Sequence, residues 1–340
     1  MTGARVCVVG AGAVGGLMAV KLAQAGADVS VLARGAHLHT IRRDGLTLID
    51  GGARETVRVD ATDDAGALGP QSVVIVALKA QALVAAAASL APLVGPSTVV
   101  MPAMNGVPWW FLHEFGGRLA GGTVEAADPG GAIARAIPSD RVVGAVVHLS
   151  SSVAGPGVIR RGRGGLLLLG EPSRRASARL DALVALLSGA GFDARPTGDI
   201  QREVWLKLWG NMNMNPISAL TGSTADAMLD DPLVVELVRR MMDEATAAGR
   251  ALGIDMDMDA DGRIAVTREL GAFKTSMLQD LEAGKALELD AILAAPCEIG
   301  ERLGVPMPYS RAVLGLARQR AANAGLYAYE AGGRRFGAPA

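Results

Sequence analysis

The run "RVCVVGAGAVGGLMAVKLAQ", residues 5–24, restricts the possible folds of this chain more than any other stretch. Its first part, "RVCVVG", is apolar, too short for a helix and ends in glycine, as buried parallel strands do. A helical pattern then runs from Val14 to Gln24, and "DVSVLAR" (28–34) supplies a second strand, completing a βαβ unit. Between the first strand and the helix lies "GAGAVG", which is Gly10, Ala11, Gly12, Ala13, Val14 and Gly15. There Gly10 permits a tight turn, Gly12 lets the backbone approach a pyrophosphate, and Gly15 allows close helix–strand packing. The helix N-terminus favours the phosphate charge. A chain with 44 glycines meets such spacings by chance, so the flanking strand and helix carry the dinucleotide-binding reading.

The end of the second strand bears on which dinucleotide is bound. A carboxylate there would accept from a ribose 2′-hydroxyl, but this strand ends in Arg34, and Asp28 stands at its opposite end. The planar fork of Arg34 suits a 2′-phosphate, with Arg42 or Arg43 as helpers, so the expected cofactor is NADP(H). The plainer alternative is a solvated surface arginine. Two further residues follow strand-like runs at the ligand-binding edge: Lys79 after "VIVAL" and Asn105 after "VVMPAM". Either can also be an ordinary turn residue.

Strand-like runs at 72–78, 97–103 and 141–150 alternate with helical stretches at 80–91 and 108–115, the pattern of a doubly wound sheet. Residues 156–170 read as an antiparallel hairpin around a Gly/Arg-rich turn. Beyond Gly198 long helical patterns dominate. The expected fold is α/β, an N-terminal Rossmann-like doubly wound sheet (1–198) followed by an all-α C-terminal domain (199–330), with 331–340 a disordered tail. "DMDMDADG" (255–262) lacks the loop-ending glutamate of a calcium loop and reads as a helix-initiating turn.

A length of 340 residues exceeds the usual single core and supports two domains. The formal net charge of −1 and the absence of a basic stripe argue against a nucleic-acid partner. Cys7 and Cys297 are the only cysteines, and His37, His39, His113 and His148 form no ligand cluster, so no metal site is expected. No run reaches membrane-span length and no signal-like segment precedes the first strand. These features point to a cytoplasmic protein without a membrane partner. A homodimer is left open.

In "EVWLKLWGNMNMNPISALTG" (203–222), Lys207, Asn211 and Asn215 recur every four residues and share one helical face, while Asn213 points elsewhere. Trp205, Leu206, Leu208, Trp209, Met212 and Met214 make the rest apolar, so the helix is expected to be buried. A buried ammonium is costly without a partner. Lys207 therefore either snorkels to water or faces a polar cleft with the two amides. Further on, Ser276 and Gln279 have capping-box spacing, and a bland capping role is open to Glu288 as well.

Taken in order, "GAGAVGG", "LARGAHLHTIRRDGL", "ALKAQ", "MNGVP", "KLWGNMNMNPISALTG" and "SMLQDLEAGKALELD" resemble the ketopantoate reductase (2-dehydropantoate 2-reductase) family from about Arg5 to Tyr327. The resemblance implies a Rossmann domain and a helical domain that bind a small 2-keto acid in a cleft, with NADPH as hydride donor. It implies Lys207 as general acid, with Glu288 beside it or contacting hydroxyls. Asn211 and Asn215 would bind substrate, Ser276 its carboxylate, and Lys79 and Asn105 the cofactor and cleft. Some members place another substrate-binding asparagine where this chain has Ala225, and Trp109 and Trp110 would either narrow the cleft or pack as core. Rival readings are a related 2-keto acid or opine-type dehydrogenase and a non-catalytic NADP-sensing protein.

Overall fold

In the computed structural model, which describes residues 3–328, the chain divides into two compact units. Unit 1 comprises Trp109–Glu114, Gly131–Glu203 and the chain up to Met104, and unit 2 comprises Asn105–Pro108, Phe115–Gly130 and the chain from Val204 onward. The expected tail, 331–340, lies outside the described residues.

Unit 1 begins with the βαβ unit that the sequence predicts, β1 (Arg5–Val9), α1 (Ala13–Gln24) and β2 (Asp28–Leu32). Next come α2 (Gly35–Asp44), β3 (Leu46–Asp50), β4 (Ala53–Val57) and β5 (Asp60–Thr62), which it does not predict, followed by the expected β6 (Val73–Val76), α3 (Ala80–Leu90) and β7 (Val99–Pro102). Five of the strands form a parallel sheet in the order β5-β2-β1-β6-β7. Strand order reverses between β1 and β6, and in such sheets the crevice beyond the strand C-termini at that point takes the ligand. Val6, Val8, Val73 and Ile75 are fully buried, in keeping with a parallel sheet covered on both faces.

The remainder of unit 1 departs from the expectation of one sheet. After α4 (Ala132–Ala136) come β8 (Gly144–Gly155), β9 (Val158–Gly170), α5 (Ala178–Gly189) and β10 (Asp193–Pro196). A second sheet runs β10-β9-β3-β4, with β8 paired to β9. The hairpin predicted within 156–170 is instead β8 against β9, turning at Pro156–Gly157. "RGRGG" is strand, not turn. Its glycines accommodate irregular pairing: Gly164 has φ +84, and a β-carbon there would sit 2.4 Å from the His148 carbonyl oxygen.

The helix predicted at 108–115 is also absent. Those residues form successive turns, with Glu114 at φ 50 and Gly116 and Gly117 in left-handed conformations. Trp109 and Trp110 are core residues of unit 1. The Trp109 indole N–H donates to the Ile137 carbonyl at 3.1 Å, and Trp110 is 1% exposed against Gly144.

Unit 2 is helical: α6 (Ile200–Thr221), whose residues from Val204 belong here, is followed by α7 (Ala225–Asp230), α8 (Pro232–Leu252), α9 (Ala260–Glu269), α10 (Ser276–Glu282), a π-helical turn at Asp290–Ala294, α11 (Ala295–Leu303) and α12 (Pro308–Asn323). Asp259 caps α9 by accepting from the Gly262 N–H at 2.8 Å, which makes the acidic run a helix start. Among the described residues no helix is long and apolar enough to cross a membrane.

Candidate functional site

The glycine-rich turn of unit 1 is shaped by its neighbours. Gly10 has φ +94, and a β-carbon on it would lie 2.7 Å from Leu78 Cδ2. On Gly15 a β-carbon would meet the Gly10 carbonyl oxygen at 2.0 Å, so neither position admits a side chain. Gly12 is different: a β-carbon there would meet nothing within 4 Å, leaving open space at the backbone where a phosphate would approach. Ala13 and Val14 open α1, whose first amides point out of the helix end. These features fit a dinucleotide.

Beside the turn lies a cavity of about 280 Å³. Its walls are mainly apolar, with Val9, Leu32, Leu78 and Ala82 among them, and Arg34 and His37 bring polar groups. Arg34 is exposed at the N-cap of α2, and its guanidinium has no partner among the described residues. The expected helpers are engaged elsewhere: Arg42 with the Ala61 carbonyl and Asp63, Arg43 with Asp44. Lys79 takes the N-cap of α3 just past β6. The sequence marks His37 only as one of four histidines that form no ligand cluster. Its ring instead ties the turn to the β8–β9 hairpin, with Nδ1 accepting from the Gly157 N–H at 2.9 Å and Nε2 on the Ala11 carbonyl. Its place in the first turn after the second strand was the available signal.

Unit 2 assembles the second group around α6. The indole N–H groups of Trp205 and Trp209 donate to the Ala245 and Met242 carbonyls of α8 at 3.2 and 2.9 Å. Lys207, two residues from each, lies about 200° around the helix from Trp205, so packing the tryptophans turns the Lys/Asn face the other way. Lys207 does not end in bulk water. Its Nζ donates to Asn105 Oδ1 at 2.8 Å, and desolvation lowers its pKa from 10.5 to about 8, the charge of Glu288 acting against that fall.

Because an ammonium only donates, Asn105 must turn Oδ1 toward Lys207, which leaves its Nδ2 hydrogens for another acceptor. Asn105 thus belongs with Lys207 in unit 2. Its position is set next door, where Gly106 at φ +84 packs so closely on Ala291 that a β-carbon would sit 2.6 Å from that carbonyl. The Val107 N–H donates to the same carbonyl at 2.8 Å. Ala291 lies in the π turn that follows Glu288, a carboxylate 8% exposed. Such turns are frequent at functional sites.

Asn211 is half-buried and Asn215 is 5% exposed, and neither side-chain amide has a hydrogen-bond partner among the described residues. Asn213 differs, with its amide nitrogen donating to the Trp209 carbonyl at 2.7 Å. Ser276 was the candidate cap of α10, but Thr275 fills that role, accepting from the Leu278 N–H at 3.2 Å. The exposed Ser276 side chain is left free of the cap. Ala225, fully buried, opens α7.

The sequence matches the family model described as Ketopantoate reductase PanE/ApbA over residues 6–174 and its C-terminal counterpart over 199–321. It is 45% identical to a 2-dehydropantoate 2-reductase of Mesorhizobium japonicum, covering 95% of this chain and 99% of that one. A crystal structure of a Ralstonia solanacearum protein provisionally named a ketopantoate reductase superposes with a TM-score of 0.92 at 52% identity, covering 95% of this chain and 99% of that one. D-mandelate dehydrogenase, solved with NADH and anilino(oxo)acetate, shares the fold with a TM-score of 0.81 at 18% identity, covering 95% and 99%. With both family models and a relative at 45% identity spanning almost all of it, the chain belongs to the ketopantoate reductase family.

Proposed function

We propose that this protein reduces 2-dehydropantoate to pantoate with NADPH, a step of pantothenate biosynthesis. The observation that carries the reaction type is the desolvated Lys207 ammonium, held by Asn105 and sharing a helix face with the unpartnered amides of Asn211 and Asn215. The choice of keto acid is supported by the relative at 45% identity. NADPH, when bound, supplies the hydride. Lys207 donates the proton to the keto oxygen, and its positive charge stabilises the alkoxide as it develops. A pKa of about 8 leaves the lysine protonated at neutral pH yet a better acid than an exposed one. Asn211 and Asn215 orient the substrate, and Ser276 binds its carboxylate. Gly12 and the first amides of α1 receive the pyrophosphate, Arg34 the 2′-phosphate, and Lys79 lines the cofactor side.

The test is NADPH oxidation by the purified protein against a panel of 2-keto acids. 2-Dehydropantoate is expected to give the highest kcat/KM. An aromatic keto acid at the head of the ranking would overturn the substrate, and no oxidation with any keto acid would overturn the enzyme. Cofactor choice is checked in the same assay. NADPH is expected to outperform NADH, and Arg34→Asp to cut that preference by about 10–100-fold, the range for losing a charge-assisted hydrogen bond. Equal use of both cofactors by the wild type would contradict the role of Arg34.

A further inference from the structure

His37 meets two backbone groups that leave its ring only one arrangement. The Gly157 N–H donates to Nδ1, so Nδ1 carries no hydrogen, and in the neutral ring the proton must sit on Nε2. That Nε2–H then donates to the Ala11 carbonyl, the second residue of the glycine-rich turn. An imidazolium would set a second N–H against the Gly157 N–H.

The Ala11–Gly12 peptide is trans, so its C=O and N–H point in opposite directions. Fixing the Ala11 carbonyl therefore fixes the direction of the Gly12 N–H. That amide has no hydrogen-bond partner among the described residues, and it belongs to the one glycine of the three that faces open space.

We propose that His37 is a positioning residue for the dinucleotide: as its Nε2–H form, it holds the Ala11–Gly12 peptide in the orientation that presents the Gly12 amide to the cofactor's phosphates. The proposal rests on the cofactor reading above. His37 touches the turn and not the reacting atoms, so its effect belongs in cofactor affinity and not in proton transfer. The ring acts as a two-ended spacer. One end is anchored on the β8–β9 turn at Gly157 and the other sets the peptide plane.

The two ends can be separated by substitution. Glutamine places an amide nitrogen as many bonds from the backbone as Nε2 and keeps the donor to Ala11. Asparagine places an oxygen where Nδ1 stood and keeps the acceptor for Gly157. NADPH dissociation constants measured by fluorescence titration, with Tm recorded for each variant, test the assignment. Expected are a rise in Kd of about tenfold for His37→Ala and His37→Asn, the factor for one lost hydrogen bond, and a Kd within about threefold of wild type for His37→Gln. For saturated enzyme, kcat on the keto acid is expected to stay near wild type in all three.

A merely structural histidine would make Asn and Gln behave alike, with Kd following Tm. That result, or an unchanged Kd in His37→Ala, would overturn the proposal while the cofactor reading stands. A wild-type protein that fails to bind NADPH at all would overturn both.

Discussion

Replacing Lys207 with alanine is expected to lower kcat on the best keto acid by about 10²–10⁴, the span for losing a general acid, while NADPH affinity stays near wild type. The selectivity follows from placement. Lys207 sits in unit 2 with Asn105 and under the field of Glu288, whereas the glycine-rich turn, Arg34 and His37 belong to unit 1. A companion substitution reads the cost of the charge. With a folded pKa of about 8 against 10.5, the unfolded chain binds more protons between those values, so the penalty for burying this lysine is full below pH 8 and fades as pH rises through that window. Lys207→Met removes the penalty while keeping the stem volume. It is expected to match or exceed wild type in Tm at neutral pH and to be as inactive as the alanine variant. Near-normal turnover of Lys207→Ala would remove the lysine from the mechanism.

Trp110→Ala is expected to destabilise the protein by about 3–5 kcal/mol, the cost of deleting a large buried aromatic, and to leave the order of keto-acid preference unchanged. Trp110 is among the largest fully buried side chains, and it packs where Gly144 has no β-carbon: one added there would lie 2.4 Å from Trp110 Cη2. The adjacent Trp109 is held by its bond to the Ile137 carbonyl. Both tryptophans therefore stabilise unit 1, and the sequence's alternative of a cleft wall falls away. A lower Tm with the same substrate ranking fits this packing; a changed ranking at unchanged Tm would contradict it.

The parts legible in sequence were those set by local spacing. "GAGAVG" is readable because much of the demand for glycine is local: Gly10 has φ +94, and a β-carbon on Gly15 would meet the Gly10 carbonyl oxygen at 2.0 Å. Lys207, Asn211 and Asn215 are readable because a four-residue interval keeps them on one face of a helix whose remaining positions are apolar. The short β3–β4 hairpin was not, since "ARETV" is mostly exposed and lacks the alternation that marks a half-buried strand. "RGRGG" misled because glycine signals turns and bulged strands equally well. Contacts distant in sequence leave no periodic trace. Asn105 and Lys207 are 102 residues apart, and His37 reaches a glycine 120 residues away. The capping residue of α10 was missed by one position, because Thr275 and Ser276 both satisfy the chemistry and only the backbone decides between them.

The most direct test of Lys207 as the proton donor is the pH dependence of kcat/KM for 2-dehydropantoate at saturating NADPH, in the wild type and in Glu288→Gln. In that role the lysine must be protonated to act, so activity is expected to fall on the alkaline side with a midpoint near 8. Glu288 favours the protonated form, so neutralising it is expected to move that midpoint to lower pH. A wild-type profile that stays flat across the alkaline range, or an alkaline limb that Glu288→Gln leaves in place, would contradict the account.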